Sequence, residues 1–196
     1  MSKIVFVLNS PPHSGKDTIA DLMVERIGAA KHEFKEPLIK AAAKYYDVDL
    51  EFFKYVVTSR EYKDTLDSWF SRSEHSKGKG MTPRQGLIHV SEEVFKPNYG
   101  ADYFGKISAD KISTGVNVFS DGGGWWPEVT PVALVADKII LCRLYRQGYT
   151  FDGDSRQYYN MDKIPDSIEE KVSICDIHLE EGNPTAVLDF MGRFIL

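Results

Sequence analysis

The chain has 196 residues, of which 42% are hydrophobic and 27% charged, a balance that suits one soluble globular domain with a core needing no metal or disulfide staple. Its net charge of −5 gives no basic field for wrapping nucleic acid, so any anion must be bound by a local cluster and no nucleic-acid partner is expected. No apolar run approaches the roughly 18 residues of a membrane span, and the first residues are apolar too briefly for a signal peptide, so no membrane partner is expected and a cytoplasmic protein is.

In chain order, Ile4–Leu8 is a short apolar run of the kind that forms a buried parallel strand. Thr18–Ile27 follows as a helix, with Ile19, Leu22, Met23 and Ile27 on one stripe and Gly28 able to end it. His32–Phe34 is a weaker strand candidate, and the alanine-rich Pro37–Tyr46 reads as helix. Tyr55–Gly80 has no recognisable pattern, and its end, Arg72–Gly80, is a polar, glycine-containing loop. Thr82–Phe95 has Leu87, Val90 and Val94 at helical spacing, and its opening Thr82-Pro83-Arg84-Gln85 suits a capping box with proline in the first turn.

Ala101–Ile112 is a further helix, and Val116–Phe119, Ile139–Cys142 and Ile174–Leu179 are further strands. Gly148–Pro165 is irregular, and a last helix begins at Asn183-Pro184. The two cysteines, Cys142 and Cys175, sit in apolar stretches and read as buried thiols of a reducing cytosol rather than a disulfide or a zinc site. Strands alternating with helices imply an α/β three-layer sandwich with a mostly parallel five-stranded sheet. Neither irregular stretch is long enough to be a linker, so residues 1–196 read as one domain.

The strongest local signal is IVFVLNSPPHSGKDT, residues 4–18: a buried strand, a tight loop, Gly-Lys and an amphipathic helix. Such a strand–loop–helix is the context of a phosphate-binding loop. Gly15 lets backbone approach a phosphate closely, and the N–H groups of Ser14, Gly15, Lys16 and Asp17 would share one concavity at the helix start. The helix end contributes only about 1 kcal/mol, so Lys16 and Mg²⁺ must supply most of the charge compensation for ATP. The loop departs from GxxxxGK[ST] twice. Ser10 stands at the first glycine, which requires a negative φ there, and Asp17 replaces the usual hydroxyl ligand of Mg²⁺. Asp17 through water, or Thr18, would take that role. His13 reads as a solvated spectator.

With these residues the chain resembles the bacteriophage deoxynucleoside monophosphate kinases, P-loop kinases related in fold to adenylate and thymidylate kinases. HEFKEPLIKAA at 32–42 is similar to that family's Phe-x-x-Pro-Leu-Lys segment with Ile39 inserted before Lys40. TPRQGLIHVSEEVF at 82–95 is similar to its Pro-Arg-x-x-Leu-Gln helix, followed by GADYFGK. NVFSDGG at 117–123 resembles its strand ending in aspartate, and HLEEGNPTAVLDF its last strand and helix. Where the family has Asp-x-Arg, this chain has Asp121-Gly122-Gly123.

The resemblance implies ATP-dependent phosphorylation of deoxynucleoside monophosphates to diphosphates, with ATP as donor and Mg²⁺ as cofactor, and suggests a homodimer. It also implies a helical acceptor-binding region at about 34–115 and a lid at about 143–165. Lys16 would meet the donor phosphates. Arg84, beside Gln85 in the first turn of a capped helix, would meet the acceptor phosphate, although an exposed first-turn arginine reads equally simply. Arg143, Arg146 and Arg156 would meet the transferred group from the lid. Asp121, at a strand end where ligands of open parallel sheets lie, would hold Mg²⁺ through water or orient Lys16; it also suits a plain turn. Phe34 and Lys35 would line the acceptor pocket, with core phenylalanine and surface lysine as plain alternatives. Trp126 or Trp125 would stack on a base, and Gly182 and Asn183 would border the donor adenine, though Asn183 also suits helix capping. Tyr158, Tyr159, Glu169 and Glu170 read as lid surface and solvated helix face without chemistry. A P-loop kinase for another small acceptor, such as dephospho-coenzyme A or a nucleoside, and a non-catalytic nucleotide-binding module remain alternatives.

Overall fold

The structure, a computed structural model, describes residues 2–59, 61–65 and 80–194. Apart from Gly80, the expected loop Arg72–Gly80 lies outside the described residues. Contacts divide the chain into two compact units, one of Met1–Phe34 with Gly105–Leu196 and the other of Lys35–Phe104. The strands are β1 (Lys3–Asn9), β2 (Ala30–His32), β3 (Gly115–Gly122), β4 (Lys138–Arg146) and β5 (Val172–Leu179). The helices are α1 (Lys16–Ile27), α2 (Lys35–Tyr45), α3 (Leu50–Thr58), α4 (Pro83–His89), α5 (Lys96–Tyr99), α6 (Tyr103–Ala109), α7 (Trp126–Val135) and α8 (Thr185–Gly192).

In the first unit the strands form one sheet in the order β2-β3-β1-β4-β5, with every pairing parallel. A sheet covered on both faces needs strands that are apolar at every position. β1 meets that requirement over residues 4–8. Val5 and Val7 pack on one face with Phe119, Ile139 and Leu141 and with Val129 and Val132 of α7. Phe6 and Leu8 pack on the other with Ile140, Leu144, Ile19 and Met23 of α1, and Met191 of α8. The α/β class and the five parallel strands therefore agree with the reading of the sequence. Cys142 and Cys175 stand opposite each other on β4 and β5 as buried free thiols.

β2 lies two residues earlier than expected. Its register runs Ala30↔Asn117 to His32↔Phe119, while Phe34 leaves the ladder and stacks on Phe119 with ring centroids 4.1 Å apart. α1 ends as expected at Gly28, whose left-handed φ of 65° suits glycine. Its buried stripe is Ile19, Ala20 and Met23, and Ile27 is exposed. The last helix is capped by Pro184 rather than Asn183.

The second unit is helical. α2, α3 and α4 enclose Ile39, Ala42, Tyr46, Phe53, Val56 and Val90. α4 opens with the full expected capping box, in which Thr82 and Gln85 each accept a hydrogen bond from the other's amide. Its path continues through a π-helical turn over Val90–Phe95 into α5. No element was expected for α3, whose aromatic and β-branched run follows an Asp49 N-cap that accepts from the Phe52 amide at 2.9 Å.

Candidate phosphate-binding site

The loop leaves the C-terminal end of β1, the strand flanked by β3 and β4, and its backbone reverses hand twice. His13 has φ 64° and Gly15 has φ 106°. Alternating left- and right-handed residues turn successive amides toward one concavity, the shape that holds anions. Ser10 is not among the left-handed residues, so it meets the condition set by its place at the first glycine position. Its side chain is buried and braces the loop: Ser14 Oγ lies 2.6 Å from Ser10 Oγ and 2.9 Å from the Pro11 carbonyl oxygen. Lys16 opens α1 with only 8% of its surface exposed, while Asp17 and Thr18 are exposed in the same turn.

Ser14, Gly15 and Thr18 share a cleft of about 250 Å³ with Ile19, Arg146, Leu179, Gly182 and Pro184. The structure thus gathers Ser14, Gly15, Thr18, Arg146 and Gly182 around one opening. Arg146 stacks over Tyr149 at 4.9 Å and lies 3.4 Å from the exposed Glu181. Asn183 lines a neighbouring cleft instead, with Asp176, His178 and Phe190.

Asp121, near the end of β3, accepts a 2.8 Å hydrogen bond from the Phe34 amide. Gly123 stands where the resemblance implies an arginine, and a β-carbon there would meet the Trp125 ring in its present position. The next residue, Gly124, has φ 87° and lies against the Gln157 carbonyl, where a β-carbon would collide. Asn9, fully buried at the end of β1, fastens this junction. Its amide nitrogen donates to the carbonyls of Gly122 at 2.9 Å and Gln157 at 3.0 Å, and its oxygen accepts from the Tyr159 amide at 3.0 Å. Sequence reasoning missed Asn9; its only signal was one polar residue closing an apolar strand.

The other two arginines expected in the lid, Arg143 and Arg156, are each paired with a carboxylate. Arg143 forks onto Asp176, with Nε and Nη2 each 2.6 Å from a carboxylate oxygen. That fork holds the Asp176 carboxyl below its usual range. Arg156 forks onto Asp154 at 2.8 and 2.7 Å. The Asp154 hydrogen bonds raise the Arg156 pKa against the opposing effect of burial, and the charges of Asp121 and Asp17 raise it further. Arg156 therefore lies within the field of the loop's aspartate and of the β3 aspartate.

Two expected ligand contacts are corrected. Trp126 is a core residue, 8% exposed, with its ring 5.1 Å from that of Tyr159 and its Nε1 donating to the Asn160 carbonyl at 3.0 Å; it has no open face for a base. Phe34 is likewise buried against Phe119. Tyr159, read as lid surface, is buried at 1% exposure, and burial pushes its phenol far up. Lys35, Arg84 and Gln85 belong to the second unit. There Gln85 is spent in the capping box, and the amide of Arg84 donates to the Lys63 carbonyl at 3.0 Å. The Arg84 side chain forks onto Asp64 at 2.6 and 3.1 Å, so the first-turn groups expected to be open are engaged.

Among the described residues no helix is long and apolar enough to cross a membrane. No group of three or more His, Cys, Asp or Glu among them is placed to hold a metal ion. The sequence matches no protein-family model and no curated protein.

Proposed function

We propose that the protein is an ATP-dependent kinase that phosphorylates deoxynucleoside monophosphates to diphosphates. The observation that carries this reading is the loop of residues 10–15. Its left-handed His13 and Gly15 shape an amide cradle, and the buried Lys16 follows at once at the N-terminus of α1. A cradle of this kind at the C-terminal end of a parallel strand is suited to a polyphosphate.

In this reading the Ser14–Asp17 amides and Lys16 bind the β- and γ-phosphates. Arg146 and Gly182 border the nucleoside of ATP. Asp17, Thr18 and Asp121 would hold Mg²⁺ directly or through water, and the ion would supply charge neutralisation on the phosphates. Phosphoryl transfer needs positioning and charge compensation more than covalent help from the protein. Arg156, already in the field of Asp17 and Asp121, is the arginine best placed to meet the spread charge of the transferred group. Arg143 is spent on Asp176 and serves the site less directly. The expected lid, about residues 143–165, would exclude the water that would otherwise accept the phosphoryl group.

For the acceptor phosphate, Arg84 must exchange Asp64 for the ligand. The two side chains are 43% and 55% exposed, and exposed pairs of this kind contribute at most about 1 kcal/mol, so the exchange is easy. The test is a panel of all deoxy- and ribonucleoside monophosphates, nucleosides and dephospho-coenzyme A with γ-labelled ATP. Label passing to deoxynucleoside monophosphates is expected. Label passing only to nucleosides or to dephospho-coenzyme A would overturn the choice of acceptor, and no transfer at all would overturn the kinase.

A further inference from the structure

Arg156 sits in a polar, glycine-containing stretch, Phe151-Asp152-Gly153-Asp154-Ser155-Arg156, where an untethered arginine would sample many rotamers. Fixing such a side chain on a phosphate costs rotamer entropy. The structure removes much of this freedom beforehand. Asp154 Oδ1 accepts from the Arg156 amide at 2.9 Å and from its Nε at 2.8 Å, and Oδ2 accepts from Nη2 at 2.7 Å. One carboxylate, 10% exposed, thus fixes both the backbone turn and the guanidinium plane.

The chain on the other side of Arg156 is fixed as well. The Gln157 amide donates to the Gly123 carbonyl at 3.1 Å, and Asn9 binds the Gln157 carbonyl and the Tyr159 amide. Asn9 is the last residue before the phosphate loop, and Gly123 stands two residues beyond Asp121. The fork on Asp154 uses the Nε–Nη2 edge and leaves the Nη1 edge for the oxygens of an anion.

Resting on the phosphoryl-transfer reading, we propose that Asp154 is a positioning residue: with the root of the loop stitched by Asn9, it holds the Arg156 guanidinium beside the phosphate cradle before ATP arrives. Its negative charge weakens the pull of Arg156 on phosphate. The gain is therefore orientation, and its signature is in turnover rather than in affinity.

Asp154→Asn separates this role from a purely structural one, because the amide oxygen still accepts from the Arg156 amide but the charged fork is lost. Asp154→Ser, which also keeps an acceptor for that amide, is the second variant if the first melts early. Calorimetry with ATP and γ-phosphoryl transfer to a saturating deoxynucleoside monophosphate are measured for wild type, Asp154→Asn, Arg156→Lys and the double variant. The expected result is a kcat about tenfold lower for Asp154→Asn, an ATP Kd within about threefold of wild type, and almost no further loss when Arg156→Lys is already present. An unchanged kcat, a loss confined to Kd, or an equal loss in the Arg156→Lys background would overturn the proposal and leave the kinase standing. A wild-type protein that binds no ATP, or binds it and transfers to no acceptor, would remove the kinase reading and this proposal together.

Discussion

His13 carries a side chain at φ 64°, a region that costs a residue with a β-carbon about 1–2 kcal/mol. Glycine at this position relieves the strain but adds chain entropy to the unfolded state. His13→Gly is accordingly expected to shift unfolding stability in a denaturant melt by less than about 1 kcal/mol and to leave ATP affinity intact. A large loss of ATP affinity would give the imidazole a direct role. Arg143 and Asp176 make a pH-dependent pair. The Asp176 carboxyl lies below its usual value because Arg143 hydrogen-bonds its charged form. The stabilisation is therefore fully present above the unfolded carboxyl's pKa, near pH 4, and is lost as pH falls through the lower folded value. Stability measured from pH 6 down to pH 2 should fall less steeply in Asp176→Asn than in wild type, and identical slopes would show that the pair contributes nothing.

At the scale of elements, what the sequence disclosed was periodicity. β1, β3 and β4 were legible from short apolar runs buried on both faces, the edge strand β5 from its apolar residues alternating with exposed Asp176 and His178, and α4 because its cap is written in consecutive residues. α3 was not legible, since Tyr55-Val56-Val57 has the composition of a strand and only tertiary packing of Phe53 and Val56 makes it a helix. Trp126 was misplaced for a related reason: composition does not say which of two adjacent tryptophans faces the core, and the Asn160 carbonyl decides it. Asn9, Asp154 and the Gly123–Gln157 junction escaped because their partners lie far off in sequence or are single local carboxylates. The end of α7 shows another such contact, where Lys171 Nζ reaches the carbonyl oxygens of Ala133, Leu134 and Ala136 at 3.3, 3.1 and 3.0 Å. A cation there satisfies carbonyls that the helix cannot. Lys171→Met, which keeps the stem and removes the charge, should destabilise the fold by about 1–2 kcal/mol. A thermal melt equal to wild type would show that water replaces it.

At the scale of the molecule, the sheet order places β1 between β3 and β4, so the loop leaving β1 is flanked by the ends of both neighbours. β3 brings Asp121, β4 brings Arg143 and Arg146, and Asn9 binds the connection that carries Arg156. Each of these arginines is paired with a carboxylate, Arg143 with Asp176, Arg146 with Glu181 and Arg156 with Asp154, so in the proposed reading Lys16 and the loop amides must do most of the work of drawing in a polyphosphate. The central claim is that this cradle, closed by Lys16, grips the phosphates of ATP. The most direct test is competition for ATP binding by inorganic tripolyphosphate and by adenosine, in wild type and in Lys16→Ala. Tripolyphosphate should displace ATP far better than adenosine does, and Lys16→Ala should lose most of that competition together with on the order of 10³-fold in turnover. Adenosine competing as well as tripolyphosphate, or a folded Lys16→Ala that binds and turns over like wild type, would contradict it.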